Sequence, residues 1–236
     1  MRPSFLQGVY VVPEKVKGRS GFPWSLAFLE GFDLRLESRV TIFVGENGCG
    51  KSTLLEACAE LVGLPWDGGS VNERADSEGE ANARLAEVLR PRMAKKPKNK
   101  FFFRAENLTD LARLLERRKA DPDFMGDPYA MYGGRSIRTR SHGEAVTAVL
   151  TSRDGPGIYL MDEPESGLSP ARQLALVELI SEQADQQDRQ FLIATHSPIL
   201  MSIPGAEIID MNDPTLPRIA RERTVHWHIF KRLLTS

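Results

Sequence analysis

A glycine-rich stretch that ends in lysine and hydroxyl residues is the clearest chemical signal in the sequence. Residues 45–53 read GENGCGKST, a glycine, four variable residues and then Gly-Lys-Ser. Backbone N–H groups of such a loop curl around phosphate oxygens, and glycines leave room for that approach. We expect Lys51 to reach the terminal phosphates and Ser52 to ligate Mg²⁺. The predicted nucleotide contacts are Gly45, Glu46, Asn47, Gly48, Cys49, Gly50, Lys51, Ser52 and Thr53.

Two adjacent carboxylates end an apolar run further along the chain. Residues 158–161 are uninterrupted apolar sequence, and Asp162 and Glu163 follow them. Such a pair is a weak signal on its own, because carboxylates at a strand end are often only solvated. Downstream of a phosphate loop, the aspartate is expected to hold Mg²⁺ through its water shell, and the glutamate to orient or deprotonate the attacking water.

A histidine follows the next apolar run. Residues 191–194 read FLIA, and His196 stands two residues beyond them. A lone histidine is more often structural than catalytic. Open parallel sheets, however, gather their ligand residues at the carboxyl ends of the strands. We therefore expect His196 to act in catalysis together with Glu163 and Lys51.

Strands that alternate with helices must position these residues. Apolar runs without alternation are typical of parallel strands covered on both faces, and apolar residues at helical spacing lie between them. The predicted strands are 5–12, 33–44, 101–103, 158–161 and 191–194, and the predicted helices are about 54–62, 80–91, 107–119, 143–152 and 174–180. This order predicts an α/β fold with a mainly parallel sheet.

Length and composition favour a single globular domain. The chain has 236 residues, of which 41% are hydrophobic and 27% charged, and its formal net charge is -1. These values exclude a disordered or fibrous chain and any global attraction to nucleic acid. The two cysteines cannot form a disulfide framework. We expect one domain over residues 1–236, with an insertion at about 66–152.

The location of the protein follows from what the sequence lacks. The first residues contain no apolar stretch of a signal peptide, and no run approaches the length of a spanning helix. We therefore expect a cytoplasmic protein that reaches a membrane only through a partner subunit.

Several motifs in a fixed order resemble the ABC-type ATPases. They are the phosphate loop (Walker A), the Asp-Glu-Pro of 162–164 (Walker B), the segment 165–169 and the Ala-Thr-His-Ser-Pro of 194–198, all within about 38–200. The resemblance implies a P-loop NTPase fold with an N-terminal antiparallel β portion and a helical insertion. It also implies ATP and Mg²⁺ as ligands, ATP hydrolysis, and a head-to-tail homodimer that closes on ATP. The finer resemblance is to solitary predicted ATPases of the AAA type and to RecF-like or SMC-like heads.

The resemblance places a signature segment at Arg140–Glu144. In the family, a serine and the start of a helix contact the γ-phosphate held by the opposite protomer. Ser141 and Gly143 match this pattern. His142 and Glu144 replace a glycine and a glutamine of the family pattern.

The family's glutamine loop, which supplies a Mg²⁺ ligand, falls at residues 104–107. Glu106 is the expected metal ligand there, and Asn107 is its rival. No Asn-Lys-x-Asp segment that reads guanine occurs in the sequence, so ATP is expected rather than GTP.

Three biological roles remain open from the sequence. The first is a cytoplasmic ATPase in a DNA-linked or defence process; the second is the motor subunit of an ABC transporter; the third is a nucleotide-gated interaction module with little turnover. The basic stretch 90–100 is a possible nucleic-acid patch. We favour a reading in which 101–103 form a core strand and the lysines cover a solvated loop. His226 and His228 are spaced like metal ligands on a strand, but no companion ligand is near.

Overall fold

Two β-sheets and six α-helices make up the part of the chain that the computed structural model describes, residues 3–66, 68–69, 85–104 and 108–235. The strands are β1 Leu6–Val11, β2 Asp33–Arg35, β3 Val40–Val44, β4 Leu89–Met93, β5 Asn99–Arg104, β6 Gly157–Asp162, β7 Arg189–Ala194, β8 Glu207–Asp210 and β9 Arg218–Ile219. The helices are α1 Pro13–Val16, α2 Lys51–Leu61, α3 Leu108–Ala120, α4 His142–Thr151, α5 Pro170–Gln186 and α6 Val225–Thr235.

The larger sheet has six strands in the order β5-β6-β7-β3-β8-β9. All neighbouring strands are parallel except β8 and β9, which pair antiparallel. Every residue of β3, β6 and β7 is buried, as expected for parallel strands covered on both faces. The smaller sheet, β2-β1-β4, is antiparallel. The predicted fold class is therefore confirmed.

Two apolar clusters cover the two faces of the parallel sheet. One cluster joins α2 and the antiparallel sheet to residues such as Leu192, and the other joins α3, α4 and α5 to residues such as Phe191. Successive side chains of a strand point to opposite faces, so these two neighbours belong to different clusters. The phosphate loop, which links β3 to α2, is thereby held between packed layers.

The region predicted as an insertion contributes to both sheets. Residues 85–87 form a short 3₁₀ helix and β4 follows, so the helix expected at 80–91 is wrong where the structure describes it; residues 70–84 lie outside the described residues. Phe101, Phe102 and Phe103 are buried in β5, which confirms the core-strand interpretation. The helical part of the region comprises α3 and α4. No described helix is both long and apolar enough to cross a bilayer.

Several basic side chains of the stretch 90–100 make contacts within the molecule. Arg92 forms two hydrogen bonds with Asp33, at 2.5 and 2.9 Å. Lys95 Nζ donates to Asp188 at 2.8 Å, and Lys100 Nζ donates to a backbone carbonyl of α2's C-terminal turn at 2.8 Å. Arg92 lies on β4 and Lys100 on β5, so the solvated loop expected here is confined to the residues between these strands, which include Lys95.

Candidate nucleotide site

The carboxyl ends of four parallel strands lie in register at one edge of the sheet. Arg104 at the end of β5 is opposite Asp162, and Asp162 is opposite Ala194. Ala194 in turn is opposite Phe43, one residue before the end of β3. The structure therefore brings together the phosphate loop after β3, the carboxylates at the end of β6 and His196 after β7, at the place where open α/β sheets bind ligands.

The backbone of the phosphate loop requires glycine at its first and last positions. Gly45 has φ 152° and Gly50 has φ 99°. A Cβ on Gly50 would lie 2.9 Å from side-chain carbons of Leu26 and Phe28, and one on Gly45 would lie 2.7 Å from Cys49 Sγ. The loop thus presents bare backbone, which is the condition for close approach to phosphate oxygens.

Lys51 is the first residue of α2 and is buried, with 6% of its surface exposed. Its Nζ donates hydrogen bonds to the carbonyl oxygens of Gly45 at 2.8 Å and Glu46 at 2.9 Å. The ammonium group is therefore held within the curve of the loop. An ammonium group in this position is suited to neutralise the charge of a bound triphosphate.

Two side-chain oxygens of the kind that Mg²⁺ prefers meet beside the loop. Ser52 Oγ donates a hydrogen bond to Asp162 Oδ1 at 3.1 Å. Mg²⁺ is commonly held by one or two protein oxygens, and phosphate and water oxygens complete its shell. The described residues contain no cluster of three or more His, Cys, Asp or Glu that could hold a metal by themselves. The pair thus fits Mg²⁺ bound together with a phosphate ligand; Glu106 and Asn107 lie outside the described residues.

Arg104 is a member of the site that sequence reasoning missed. Its Nη2 lies 3.7 Å from Asp162 Oδ2, and its Nη1 donates to Glu56 Oε1 at 2.8 Å. The side chain is 15% exposed. The sequence does show a basic residue directly after three phenylalanines. It does not show that β6, which ends in Asp162, is the neighbouring strand.

Glu163 and His196 face each other across the end of the sheet. Glu163 has φ 47°, and its N–H donates to the carbonyl oxygen of Ala194 at 2.9 Å. His196 Nε2 lies 3.9 Å from Glu163 Oε1, and this nitrogen is buried without a hydrogen-bond partner among the described residues. Burial and the Lys51 ammonium lower the pKa of His196, against the opposing effect of Glu163. A neutral imidazole at pH 7 has one N–H to donate and one nitrogen to accept.

Glu165 fixes the backbone around His196, and this role was also missed. Its Oε1 accepts hydrogen bonds from Thr195 Oγ1 at 2.6 Å and from the His196 N–H at 2.8 Å. Burial raises the pKa of the Glu165 carboxyl. The available signal was the third acid of the Asp-Glu-Pro-Glu run. The contact itself joins residues thirty positions apart.

The signature segment forms the start of α4, and its polar groups are engaged there. Ser141 is the N-cap residue, and Glu144 completes a capping box with it: Ser141 N and Oγ both donate to Glu144 Oε2 at 2.8 Å. Gly143 is buried, and a Cβ on it would lie 2.7 Å from Arg172 Cδ. The His142 ring is edge-on to Phe103. The nucleotide contacts of Ser141 and Gly143 stay predictions.

The C-terminal segment forms one wall of a cleft at the phosphate loop. This cleft has a volume of about 470 Å³. Its lining includes Gly45, Glu46, Asn47, Glu163, His196, Asp210, Asn212, Arg223, Thr224, Val225, His226 and Ile229. His226 and His228 lie on helix α6, where residues two apart point about 200° apart. The two histidines therefore do not share one face, as they would on a strand. Of the two, His226 lines the cleft and His228 does not.

Two protein-family models match the chain. One, described as "AAA domain, putative AbiEii toxin, Type IV TA system", matches residues 145–202, and a second AAA domain model matches residues 25–114. The second match includes the phosphate loop, and the first includes Asp162, Glu163 and His196.

Curated proteins are similar to the chain in sequence, and a solved structure is similar to it in fold. The chain is 31% identical over 180 residues to the hemin import ATP-binding protein HmuV of Rhodopseudomonas palustris (strain BisB5), covering 66% of this chain and 64% of that protein. It is 29% identical over 220 residues to the HmuV protein of Burkholderia lata (strain 383), covering 80% and 81%. The structure of "a putative metal-chelate type ABC transporter" in an inward-facing conformation matches with a TM-score of 0.52 at 14% identity, over 98% of this chain and 89% of that one.

The strand, loop and helix at 40–61 define a P-loop nucleotide-binding domain. The family-model matches and the relatives agree that the chain is similar to the ATP-binding domains of ABC-type and AAA-type P-loop ATPases. The resemblance found in the sequence is thus confirmed. The chain spans less than two thirds of the Rhodopseudomonas relative.

Proposed function

We propose that the chain binds ATP with Mg²⁺ at the phosphate loop and hydrolyses it. The observation that carries this proposal is the hydrogen bond of 3.1 Å between Ser52 Oγ and Asp162 Oδ1. It places a hydroxyl and a carboxylate from two separate motifs at one point, one residue along α2 from the buried Lys51. This is the donor set that a magnesium–triphosphate complex requires.

Each motif then has a defined task. Lys51 neutralises phosphate charge, and Ser52 and Asp162 hold the metal. Mg²⁺ held by these residues would supply positive charge that offsets the negative charge developing on the transferred phosphate. Glu163 orients the attacking water and accepts its proton. The unpartnered imidazole nitrogen of His196 is available to a terminal phosphate oxygen.

The signature segment supports a head-to-tail homodimer that closes on ATP. Ser141 and Gly143 are not among the described residues that line the cleft at the phosphate loop. In the ABC-type ATPases that the chain resembles, the signature serine and helix start of one protomer contact the γ-phosphate held by the other, so a second copy would bring its Ser141 and Gly143 to the nucleotide. The Glu144 carboxylate at the start of that helix occupies the N–H of Ser141 and adds negative charge, so closure is expected to be weaker than with the family's glutamine.

Phosphate release and solution mass test the proposal together. Wild type, Glu163→Gln, Lys51→Ala and the control Glu178→Gln, an exposed carboxylate of α5, are measured with Mg²⁺-ATP. Wild type is expected to release phosphate and Glu163→Gln to lose at least about 100-fold in rate, while light scattering shows an ATP-dependent dimer of Glu163→Gln. Lys51→Ala is expected to bind ATP weakly, and Glu178→Gln to behave as wild type.

Two outcomes of these measurements would contradict the proposal. Wild type that binds ATP tightly, stays monomeric and releases no phosphate contradicts the hydrolase and supports a nucleotide-gated module. Equal rates for Glu163→Gln and Glu178→Gln would remove Glu163 from the chemistry.

The motor subunit of a membrane transporter is the second candidate. It is favoured by the relatives, which include hemin import ATP-binding proteins. Co-purification of the tagged chain with a membrane protein, and turnover that depends on that protein, would support it. Full turnover of the isolated chain would favour the cytoplasmic ATPase.

For the cytoplasmic ATPase, a DNA-linked or defence process is the role we propose. Lys95, Lys96 and Lys98 are the exposed lysines of the basic stretch, although Lys95 pairs with Asp188. DNA-stimulated turnover that is lost when the three lysines are neutralised would support the role. DNA binding that is absent, or insensitive to salt, would count against it.

A further inference from the structure

The first turn of α6 faces the same cleft as the phosphate loop. Arg223, Thr224, Val225 and His226 line this cleft together with His196. About 170 residues of chain separate this segment from the phosphate loop. The C-terminal helix is thus part of the site, although no sequence motif marks it.

Local contacts hold the start of α6 in its position. Thr224 is 2% exposed. Its Oγ1 donates to the carbonyl oxygen of Arg221 at 2.7 Å and accepts from the Trp227 N–H at 3.2 Å. The Arg221 guanidinium stacks over the Trp227 ring at 4.4 Å. The first turn is therefore capped, and these contacts hold the backbone on both sides of His226.

His226 meets His196 across the cleft. The ring centroids are 5.7 Å apart, and the planes are tilted by 57°. Burial, then His196 and Lys51, lowers the pKa of His226. The charged groups around the pair include cations Lys51 and Arg223 and the carboxylates of Glu46, Glu163 and Asp210, all near the loop. A neutral imidazole in this setting can donate one N–H to an anion.

We propose that His226 is a second nucleotide-contacting histidine, which binds the terminal phosphate of a nucleoside triphosphate and thereby links α6 to the presence of that phosphate. This inference rests on the proposed function, which places the terminal phosphate beside Lys51, Glu163 and His196. ADP lacks the phosphate that His226 binds. The contact therefore discriminates between ATP and ADP instead of strengthening the binding of both.

His228 supplies a matched control for His226. It lies on the same helix two residues further on, is exposed, and is not among the described residues that line the cleft. His226→Ala, His226→Gln and His228→Ala are compared with wild type by calorimetric titration with Mg²⁺-ADP and with the Mg²⁺ complex of adenylyl imidodiphosphate, a triphosphate analogue that is not hydrolysed. Thermal unfolding of each variant reports whether the fold is retained.

His226→Ala is expected to weaken binding of the triphosphate analogue by about tenfold, the size of a lost hydrogen bond to a charged group. ADP binding is expected to change less than about twofold, because the remaining phosphates are held by the loop. His226→Gln keeps an N–H donor and is expected to recover part of the loss. His228→Ala is expected to leave both affinities unchanged.

Three outcomes would overturn the inference. Unchanged nucleotide affinities in His226→Ala would show that His226 does not contact the terminal phosphate. Equal weakening of ADP binding and of triphosphate-analogue binding would show that His226 has a structural role only. Equal changes in nucleotide affinity in His226→Ala and His228→Ala would also contradict a specific contact of His226 with the terminal phosphate. In all three cases wild type still binds nucleotide, so the proposed function stands. If wild type binds neither nucleotide and Lys51→Ala makes no difference, the proposed function fails and this inference fails with it.

Discussion

Arg104 and Asp162 end neighbouring parallel strands at paired positions, so that the guanidinium lies 3.7 Å from the carboxylate that is proposed to hold Mg²⁺. The same guanidinium binds Glu56 on α2 at 2.8 Å. One cation therefore connects the helix that follows the phosphate loop with the acidic strand. It thereby ties α2, which carries Ser52, to β6, which ends in Asp162.

Removal of Arg104 is expected to destabilise the fold. Arg104→Ala leaves two partly buried carboxylates without this cation, and the free energy of unfolding is expected to fall by about 1–3 kcal/mol. Arg104→Lys keeps the charge but lacks the fork that reaches both carboxylates, so it is expected to lie in between. Urea unfolding measures the change. The control is Arg113→Ala, whose exposed pair with Asp110 is worth less than about 0.5 kcal/mol; a loss as small in Arg104→Ala would contradict the connection.

Alanine at Gly50 tests the packing behind the phosphate loop. The new Cβ would meet Leu26 and Phe28 at 2.9 Å in a left-handed backbone, so the free energy of unfolding is expected to fall by about 2–4 kcal/mol. Gly205→Ala, also at positive φ but with open space around it, is expected to lose only about 1–2 kcal/mol. ATP affinity is expected to fall in Gly50→Ala alone. Equal losses of stability would show that the backbone strain acts without the clash.

Glu165 is expected to act through the position of His196. Glu165→Ala leaves the Thr195 hydroxyl and the His196 N–H without their acceptor, at a cost of about 1–3 kcal/mol, while Glu165→Gln keeps an acceptor oxygen and is expected to stay within about 1 kcal/mol of wild type. Turnover is expected to fall in the alanine variant and to be largely retained in the glutamine variant.

The pH dependence of Glu165 provides a second readout. Because burial raises the pKa of Glu165 from 4.5, the folded state binds this proton more tightly than the unfolded state. The group therefore lowers stability as the pH rises through its folded-state pKa. Urea unfolding between pH 4.5 and 8 is expected to show a smaller fall with pH in Glu165→Gln than in wild type. Parallel pH profiles would contradict the burial of the charge.

Acid is expected to destabilise the cleft through its two histidines. The pKa of His196 and that of His226 both lie below 6.5 in the folded protein, chiefly through burial. At a pH below about 6.5 the unfolded chain binds more protons at these sites than the folded chain, so stability is lost as the pH falls through that window. The double variant His196→Asn with His226→Asn is expected to lose less stability than wild type between pH 7.5 and 5.5 in urea unfolding.

An exposed histidine of helix α6 provides the control for this measurement. Lys51 lowers both of these histidine pKa values, and Glu163 raises that of His196. His228→Asn removes an exposed histidine of the same helix and is expected to keep the pH dependence of wild type. The same slope in the double variant and in wild type would show that the two cleft histidines do not titrate differently in the folded and unfolded states.

The site residues that could be predicted from the sequence lie in short motifs next to apolar runs. The phosphate loop, Asp162, Glu163 and His196 each stand directly after an apolar run, and the loop pattern itself implies a strand before it and a helix after it. The predicted strands 158–161 and 191–194 agree with β6 and β7 to within a few residues. The predicted strand 33–44 is wrong as a single element, because β2 Asp33–Arg35 and β3 Val40–Val44 belong to different sheets. The predicted helix at 80–91 failed because β1, far away in the sequence, provides a partner for β4, and tertiary pairing overrides local propensity.

The sequence by itself determined the fold class, the glycine-rich loop pattern and the order of the motifs that follow the strands, because each of these is encoded in neighbouring residues. Only the tertiary structure decided which side chains surround them. Arg104 reaches Asp162 through strand register, Glu165 reaches His196 through the fold of two loops, and His226 reaches the cleft through the return of the C-terminal helix. These contacts join residues about 30 to 60 positions apart, and no local pattern records which distant strand ends will be neighbours.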